Sequence, residues 1–347
     1  MHADLDTLAT ALYARTDDLL KTHPEWVPSR PKVGIAPRIS DAELVTMALM
    51  QALLGFTSEA RWLRHARAHR GHLFPYLPQQ PGYNKRLRRL AGTLNWLTGI
   101  LALDTNVWTD DVWVVDSTPI ECARSRDTVK RSDLAGWAEY GYCASHSRYF
   151  WGVRLHLVAT LQGLPIGFVI TGAKADERQV LLDLLHDDPT LAASRPGQTL
   201  IADKNYYGRD FEHDLARRGI QLLRRARKGE PERPGGRYFK RAIRITAVPG
   251  PRVSDMAGNG QRQYKSLCQR VSYCRHPDSP LLQTTPPDRR VDLDTVKGQL
   301  GLEQHGGHSS PGVLVRILQR ILAMTTAIWH NDQTGQPVRR SLLAYDH

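Results

Sequence analysis

Two aspartates about ninety residues apart have the type and setting to do chemistry in this sequence. Asp116 closes the apolar run VWVV, residues 112–115, and is followed by Ser117, Thr118 and Pro119; Asp203 closes a second run, TLIA, residues 199–202, and is followed by Lys204. A short apolar stretch bounded by turn-forming residues reads as a strand covered on both faces. Each aspartate is therefore expected where a core strand stops, and side chains at strand ends of a mixed sheet can converge on one crevice. Two carboxylates held close together repel unless a cation neutralises them. Oxygen ligands with no His or Cys beside them suit Mg2+ or Mn2+ rather than zinc. Either aspartate alone could merely end a strand, as Asp often does; the shared setting favours a common site.

The elements that must position these groups follow from periodicity. Residues 1–105 read as helices. Ser40 with Glu43 three positions on forms a capping box at the head of an apolar helical face containing Leu44, Met47 and Ala48. A basic amphipathic segment, a Pro-containing loop and a second basic helix follow, in the manner of a small DNA-binding domain. Lys85, Arg86, Arg88 and Arg89 are the candidate phosphate contacts there, although a charge run on a helix also serves as a plain solvated face. From residue 110 the period shortens. VWVVDST, RYFWGVRLHLVAT and GLPIGFVIT read as three antiparallel strands, DERQVLLDLLHD as a helix, and IADK as a strand. RDFEHDLARRG then reads as a helix ended by Gly219, and IQLLRRAR as a last strand. His156, alternating with strand residues, reads as a hydrogen-bonded core histidine rather than a ligand. Trp137, Tyr140 and Tyr142 could stack on an unpaired base or pack beneath a loop. The apolar face of VLVRILQRILAMTTAIW reads as core, with Arg316 and Arg320 solvated.

Composition narrows the partner. The 347 residues carry a net charge of +12, and residues 221–290 hold 16 Lys and Arg against 5 Asp and Glu. A surplus of that sign lowers free energy on a polyphosphate by releasing counterions, so nucleic acid is the expected partner. No run approaches the roughly 18–20 apolar residues of a membrane span, and the acidic, interrupted N-terminus is unlike a signal peptide. A cytoplasmic protein with no membrane partner is expected. Cys122, Cys143, Cys268 and Cys274 fit neither a disulfide framework nor a zinc pattern, so no structural metal is expected.

VVDSTPI, YGYCASHSRYFWGVRLHLVATLQGLPIGFVITGAKADE, IADKNYYG, DTVKGQLGLEQHGG and VLVRILQRILAMTTAIWHND, in that order, resemble the DDE transposases of bacterial insertion sequences. The resemblance spans most of residues 1–240 and 294–347. It implies an RNase H-like mixed sheet with flanking helices, preceded by an all-α N-terminal domain: residues 1–105 a helical DNA-binding domain, 106–240 the first part of the catalytic core, 294–347 the helices completing it. It also implies metal-dependent cleavage and strand transfer with two Mg2+ or Mn2+ ions. Asp116 and Asp203 would be the first two catalytic, metal-binding carboxylates, and Lys297, with Lys204, would hold phosphates. The partners would be duplex DNA of the element's terminal repeats and of the target, bound by a homodimer in the bacterial nucleoid.

One part of the pattern is missing. Related transposases carry a Tyr, Arg, Glu, Lys signature with the Glu seven residues before the Lys; counting back from Lys297, the Tyr, Arg and Glu positions hold Gln283, Pro286 and Arg290. A guanidinium in place of a metal-binding carboxylate would be damaging. Asp294 lies one helical turn from position 290 and is the candidate substitute. Residues 241–293, rich in Pro, Arg and Ser and without periodicity, are either a basic DNA-contacting insertion or a frame-slipped segment. The competing functions are a transposase, a catalytically inactive DNA-binding remnant of one, and a stand-alone RNase H-like nuclease; the basic helical N-terminal region disfavours the last.

Overall fold

A computed structural model describes residues 5–29, 36–143, 147–189, 191, 197–231, 233, 300–338 and 342. The chain opens with five helices, α1 (Leu5–Thr22), α2 (Asp41–Leu53), α3 (Glu59–His69), α4 (Gln80–Arg89) and α5 (Ala91–Leu103). The head of α2 is the expected capping box: the Glu43 amide donates to Ser40 Oγ at 3.1 Å and the Ser40 amide to Glu43 Oε2 at 2.6 Å. Then come β1 (Val112–Ala123), a short α6 (Arg126–Lys130), β2 (Glu139–Cys143), β3 (Arg148–Thr160) and β4 (Pro165–Gly172). They are followed by α7 (Glu177–Asp187), β5 (Thr199–Ala202), α8 (Arg209–Arg217) and β6 (Gln221–Arg224), and by a long helix, α9 (Ser310–Gln333).

The six strands form one mixed sheet in the order β2-β3-β1-β5-β6, with β4 also on β3. β1, β3 and β4 are antiparallel neighbours, as the three apolar runs predict, while β5 and β6 are parallel to β1. The continuous apolar runs are explained by burial on both faces. Trp113, Val115, Val158 and Leu200 face Leu181 and Leu185 of α7 and Phe211 and Leu215 of α8. Ile120, Val153, Leu155 and Leu157 face the other way, into a core shared with the N-terminal helices and α9. The architecture is thus mixed α/β, with flanking helices and a helical region before the sheet.

Two expectations change. Ser117, Thr118 and Pro119 do not end the first strand, which runs on to Ala123. Beyond Val114 the strand pairs with β3 alone, so the missing amide of Pro119 falls where the other edge has no partner strand to lose. Near the far end β1 bulges between Glu121 and Ala123 opposite Gly152. A Cβ on that glycine would lie 2.0 Å from the Ile120 carbonyl oxygen, so only glycine admits the close approach.

Arg316 and Arg320 are not solvated but 6% and 5% exposed. α9 packs against α5 and α2, and its arginines go inside with it. Arg316 forms a 2.5 Å ion pair with Glu59. Arg320 donates to the carbonyls of Leu300 and Arg316, and burial pushes its pKa down to about 10. α9 is long and apolar enough to cross a membrane by length and composition, but 89% of that window is buried in the fold.

Candidate active site

The pairing of β1 with β5 ends at Val114 opposite Ile201. Asp116 and Asp203 each stand two residues further on, one on a strand that continues and one where its neighbour stops. Adjacent strands lie ~4.8 Å apart, so two side chains leaving them at one level are neighbours. β5 stops at Ala202, and both carboxylates are half-buried at this level. Each is oriented by local backbone. The Ser117 amide donates to Asp116 Oδ1 at 2.8 Å. Asp203 accepts the Lys204 amide at 2.5 Å and the Asn205 side-chain amide at 3.3 Å, and its carbonyl takes the Tyr206 amide at 3.0 Å, a tight turn that presents the carboxylate at the strand end.

A second layer stands beside the pair, and sequence reading missed it. Glu177, at the head of α7 behind the N-cap Asp176, accepts from Ser117 Oγ at 2.5 Å and from Arg154 Nη1 at 2.8 Å. Arg154 also donates to Ser117 Oγ at 2.9 Å and to the Tyr142 carbonyl at 3.2 Å. α7, β3 and β1 are thereby tied together next to Asp116. Tyr206 is 1% exposed, and its hydroxyl has no hydrogen-bond partner among the described residues. Burial raises its pKa well above 10, and Glu177, Asp116 and Asp203 raise it further against the opposing pull of Arg154. The hydroxyl therefore stays protonated. The only local sign of Glu177 in the sequence is its place after a helix N-cap Asp; its partners lie 60 and 23 residues away.

The other candidates distribute as follows. Lys204 is exposed beside Asp203. Lys85, Arg88 and Arg89 are exposed on α4, whereas Arg86 is tied inward, donating to the Ile39 carbonyl at 2.7 Å and to Asp41 at 2.6 Å. His156 is a core histidine, 3% exposed and 2.9 Å from Thr171 Oγ1. Trp137 packs half-buried on the core, while Tyr140 and Tyr142 are exposed. Asp294, Lys297, Arg290 and the segment 241–293 lie outside the described residues.

Residues 108–266 match the transposase DDE domain family. Over that stretch, a little under half of the chain, the sequence is similar to transposase DDE domains. No curated protein matches the sequence. A solved piggyBac transposase synaptic complex with hairpin DNA aligns at a TM-score of 0.41 and 11% identity, over 99% of this chain and 79% of that one. The DDE match contains Asp116, Glu177 and Asp203 and stops short of Asp294 and Lys297.

DDE transposases as a family use divalent metal ions. Asp116 and Asp203 present hard carboxylate oxygens at one level of adjacent strands, the kind of donor such an ion takes. Among the described residues no three His, Cys, Asp or Glu side chains stand close enough to hold a metal between them. Glu177 is turned toward Ser117 and Arg154.

Proposed function

We infer that this chain is the transposase of a bacterial insertion sequence, cutting DNA strands at the element ends and joining them to target DNA. The observation that carries the reading is the placement of Asp116 and Asp203 at the same level of neighbouring parallel strands, inside the DDE segment. Asp116, Asp203 and Asp294 would hold two Mg2+ or Mn2+ ions. Bound there, the ions supply the charge that stabilises attacking and leaving oxygens at phosphorus. Lys204 and Lys297 hold phosphate oxygens, and Lys85, Arg88 and Arg89 of α4 track the duplex backbone, as positions without sequence preference do. Arg86 stays with Asp41 as a structural tie. A homodimer on the paired element ends, in the bacterial nucleoid, completes the reading.

The test separates chemistry from binding. Asp116→Ala and Asp203→Ala are each expected to abolish Mg2+- or Mn2+-dependent cleavage of an element end while leaving duplex affinity within about threefold, since the phosphate contacts lie elsewhere. Normal cleavage by either variant would overturn the site.

A second reading, an inactive DNA-binding remnant, is favoured by Arg290 standing where the resemblance calls for Glu. Translation of the coding DNA across residues 241–293 in the other two frames discriminates. A Glu seven residues before Lys297, with Arg four before it, identifies a frame slip, and restoring the frame should then restore cleavage. Without that signature the segment is a genuine insertion, and Asp294→Ala should be as inactive as Asp116→Ala.

A further inference from the structure

Six large hydrophobic side chains stand exposed among the described residues, and three of them, Tyr140, Tyr142 and Tyr149, share one small area of β2 and β3. Their exposures are 53%, 48% and 78%. Tyr142 lies directly opposite Tyr149, with ring centroids 5.1 Å apart, and Tyr140 lies opposite Trp151. Directly opposed residues, and alternate residues along a strand, occupy one face of a sheet. The three tyrosines therefore share the face of Trp151, Val153, Leu155 and Leu157, and Leu157 is the residue opposite Asp116. From Tyr149 to Leu157 the strand covers roughly 26 Å at ~3.3 Å per residue.

Exposed rings cost free energy in water, and three on one face need a partner that rewards them. The adjoining charge indicates its nature. Ala123, Trp151 and Tyr140 form one row across three strands, and the chain leaving Ala123 carries exposed Arg124, Arg126, Lys130 and Arg131 against exposed Asp127 and Asp133. No aliphatic side chain is among the large hydrophobics exposed there. Open ring faces beside a positive flank suit unpaired nucleotides, whose bases offer π-faces and whose phosphates are anionic; a duplex shows only base edges.

We propose that Tyr140, Tyr142 and Tyr149 form a stacking platform for the bases of a single-stranded DNA segment at the exposed end of the β2–β3 face. The proposal rests on the DNA-cutting function inferred above and adds the part of the substrate this face takes. Between the platform and the level of Asp116 that face is buried, with Trp151 5%, Val153 0%, Leu155 0% and Leu157 1% exposed, so the single strand meets only its tyrosine end.

The test uses the full chain and DNA with a branched end, a duplex continued by a single-stranded flap carrying 2-aminopurine at successive positions from the junction. Tyr149→Ala and Tyr142→Ala are each expected to weaken flap-DNA binding about tenfold, to relieve the quenching of the stacked 2-aminopurine, and to leave blunt-duplex affinity unchanged. Tyr149→Trp should restore both readouts, which a purely structural role would not. Equal flap-DNA affinity in wild type and alanine variants overturns the platform, as does loss of both DNA affinities together. A change from dimer to monomer on sedimentation without loss of flap affinity overturns it too, by making the patch a contact between copies. If the wild-type chain binds and cuts no DNA, the transposase reading itself fails, a result distinct from platform failure in an active enzyme.

Discussion

Arg154 pairs with Glu177 and donates to Ser117 Oγ, and its position makes Glu177 consequential. The guanidinium stands 2.8 Å from Glu177 with its side chain 13% exposed, where opposite charges interact more strongly than at an open surface. With Glu177 in place its charge is satisfied away from the aspartates. Glu177→Gln keeps the shape and a hydrogen-bond partner for Ser117 but removes the anion, which leaves an uncompensated guanidinium on β3, the strand paired with Asp116, to oppose the charge of a metal ion there. The expected result is a metal concentration for half-maximal cleavage raised on the order of tenfold, with the rate at saturating metal largely retained. Arg154→Lys should not substitute, because an ammonium cannot span Ser117, Glu177 and the Tyr142 carbonyl as the planar fork does. An unchanged metal requirement in Glu177→Gln would show that the layer does not act on the aspartates.

At the scale of elements, what was legible in the sequence was what short-range periodicity encodes. The runs at 112–115 and 148–160, the helix headed by Asp176 and the capping box at Ser40 all appear where apolar spacing and turn chemistry put them. The convergence of Asp116 and Asp203 was legible because both close similar runs. Other features were set at long range. The continuation of β1 through Pro119 depends on β5 being short, which no residue near Pro119 reveals, and β2 is a five-residue strand whose pattern is broken by exposed tyrosines. Arg316 and Arg320 look like a solvated edge until α9 is seen to be enclosed, with Glu59 waiting on α3. Removing one member of a buried pair strands the other charge, so Arg316→Met should destabilise the fold by about 3–5 kcal/mol. Arg316→Met combined with Glu59→Gln should recover at least about 1 kcal/mol of that loss, since no unpaired buried charge remains. Urea unfolding of the two single variants and the double variant measures it; strictly additive losses would show that the pair is not coupled.

For the whole molecule, the helical region, the sheet and α9 share one apolar core, so events at widely separated sites reach a single stability. Two histidines sit in that body. His156, between β1 and β4, is 3% exposed, and His305, whose ring reaches the Glu121 carbonyl at 3.2 Å and accepts the Gly307 amide at 3.0 Å, is 4% exposed. Burial, joined by Arg154 at His156, holds each pKa down at about 4, although the Glu121 carbonyl opposes the shift at His305. Both are therefore neutral in the fold at pH 7 and below their unfolded value of ~6.5. Between pH 6.5 and 4 the unfolded chain binds more protons, so stability rises with pH: it is complete above about 6.5 and falls as pH drops toward 4. Each histidine should withdraw about 2 kcal/mol between pH 7 and pH 5. This window lies above that of Asp176, which its hydrogen bond from Arg178 holds at about 2 and which weakens the fold only below the ordinary carboxylate range. Urea midpoints at pH 7 and pH 5 should thus show a loss of about 4 kcal/mol in the wild type and a much smaller one in His156→Gln combined with His305→Gln. The same loss in both proteins would place the acid sensitivity in other groups.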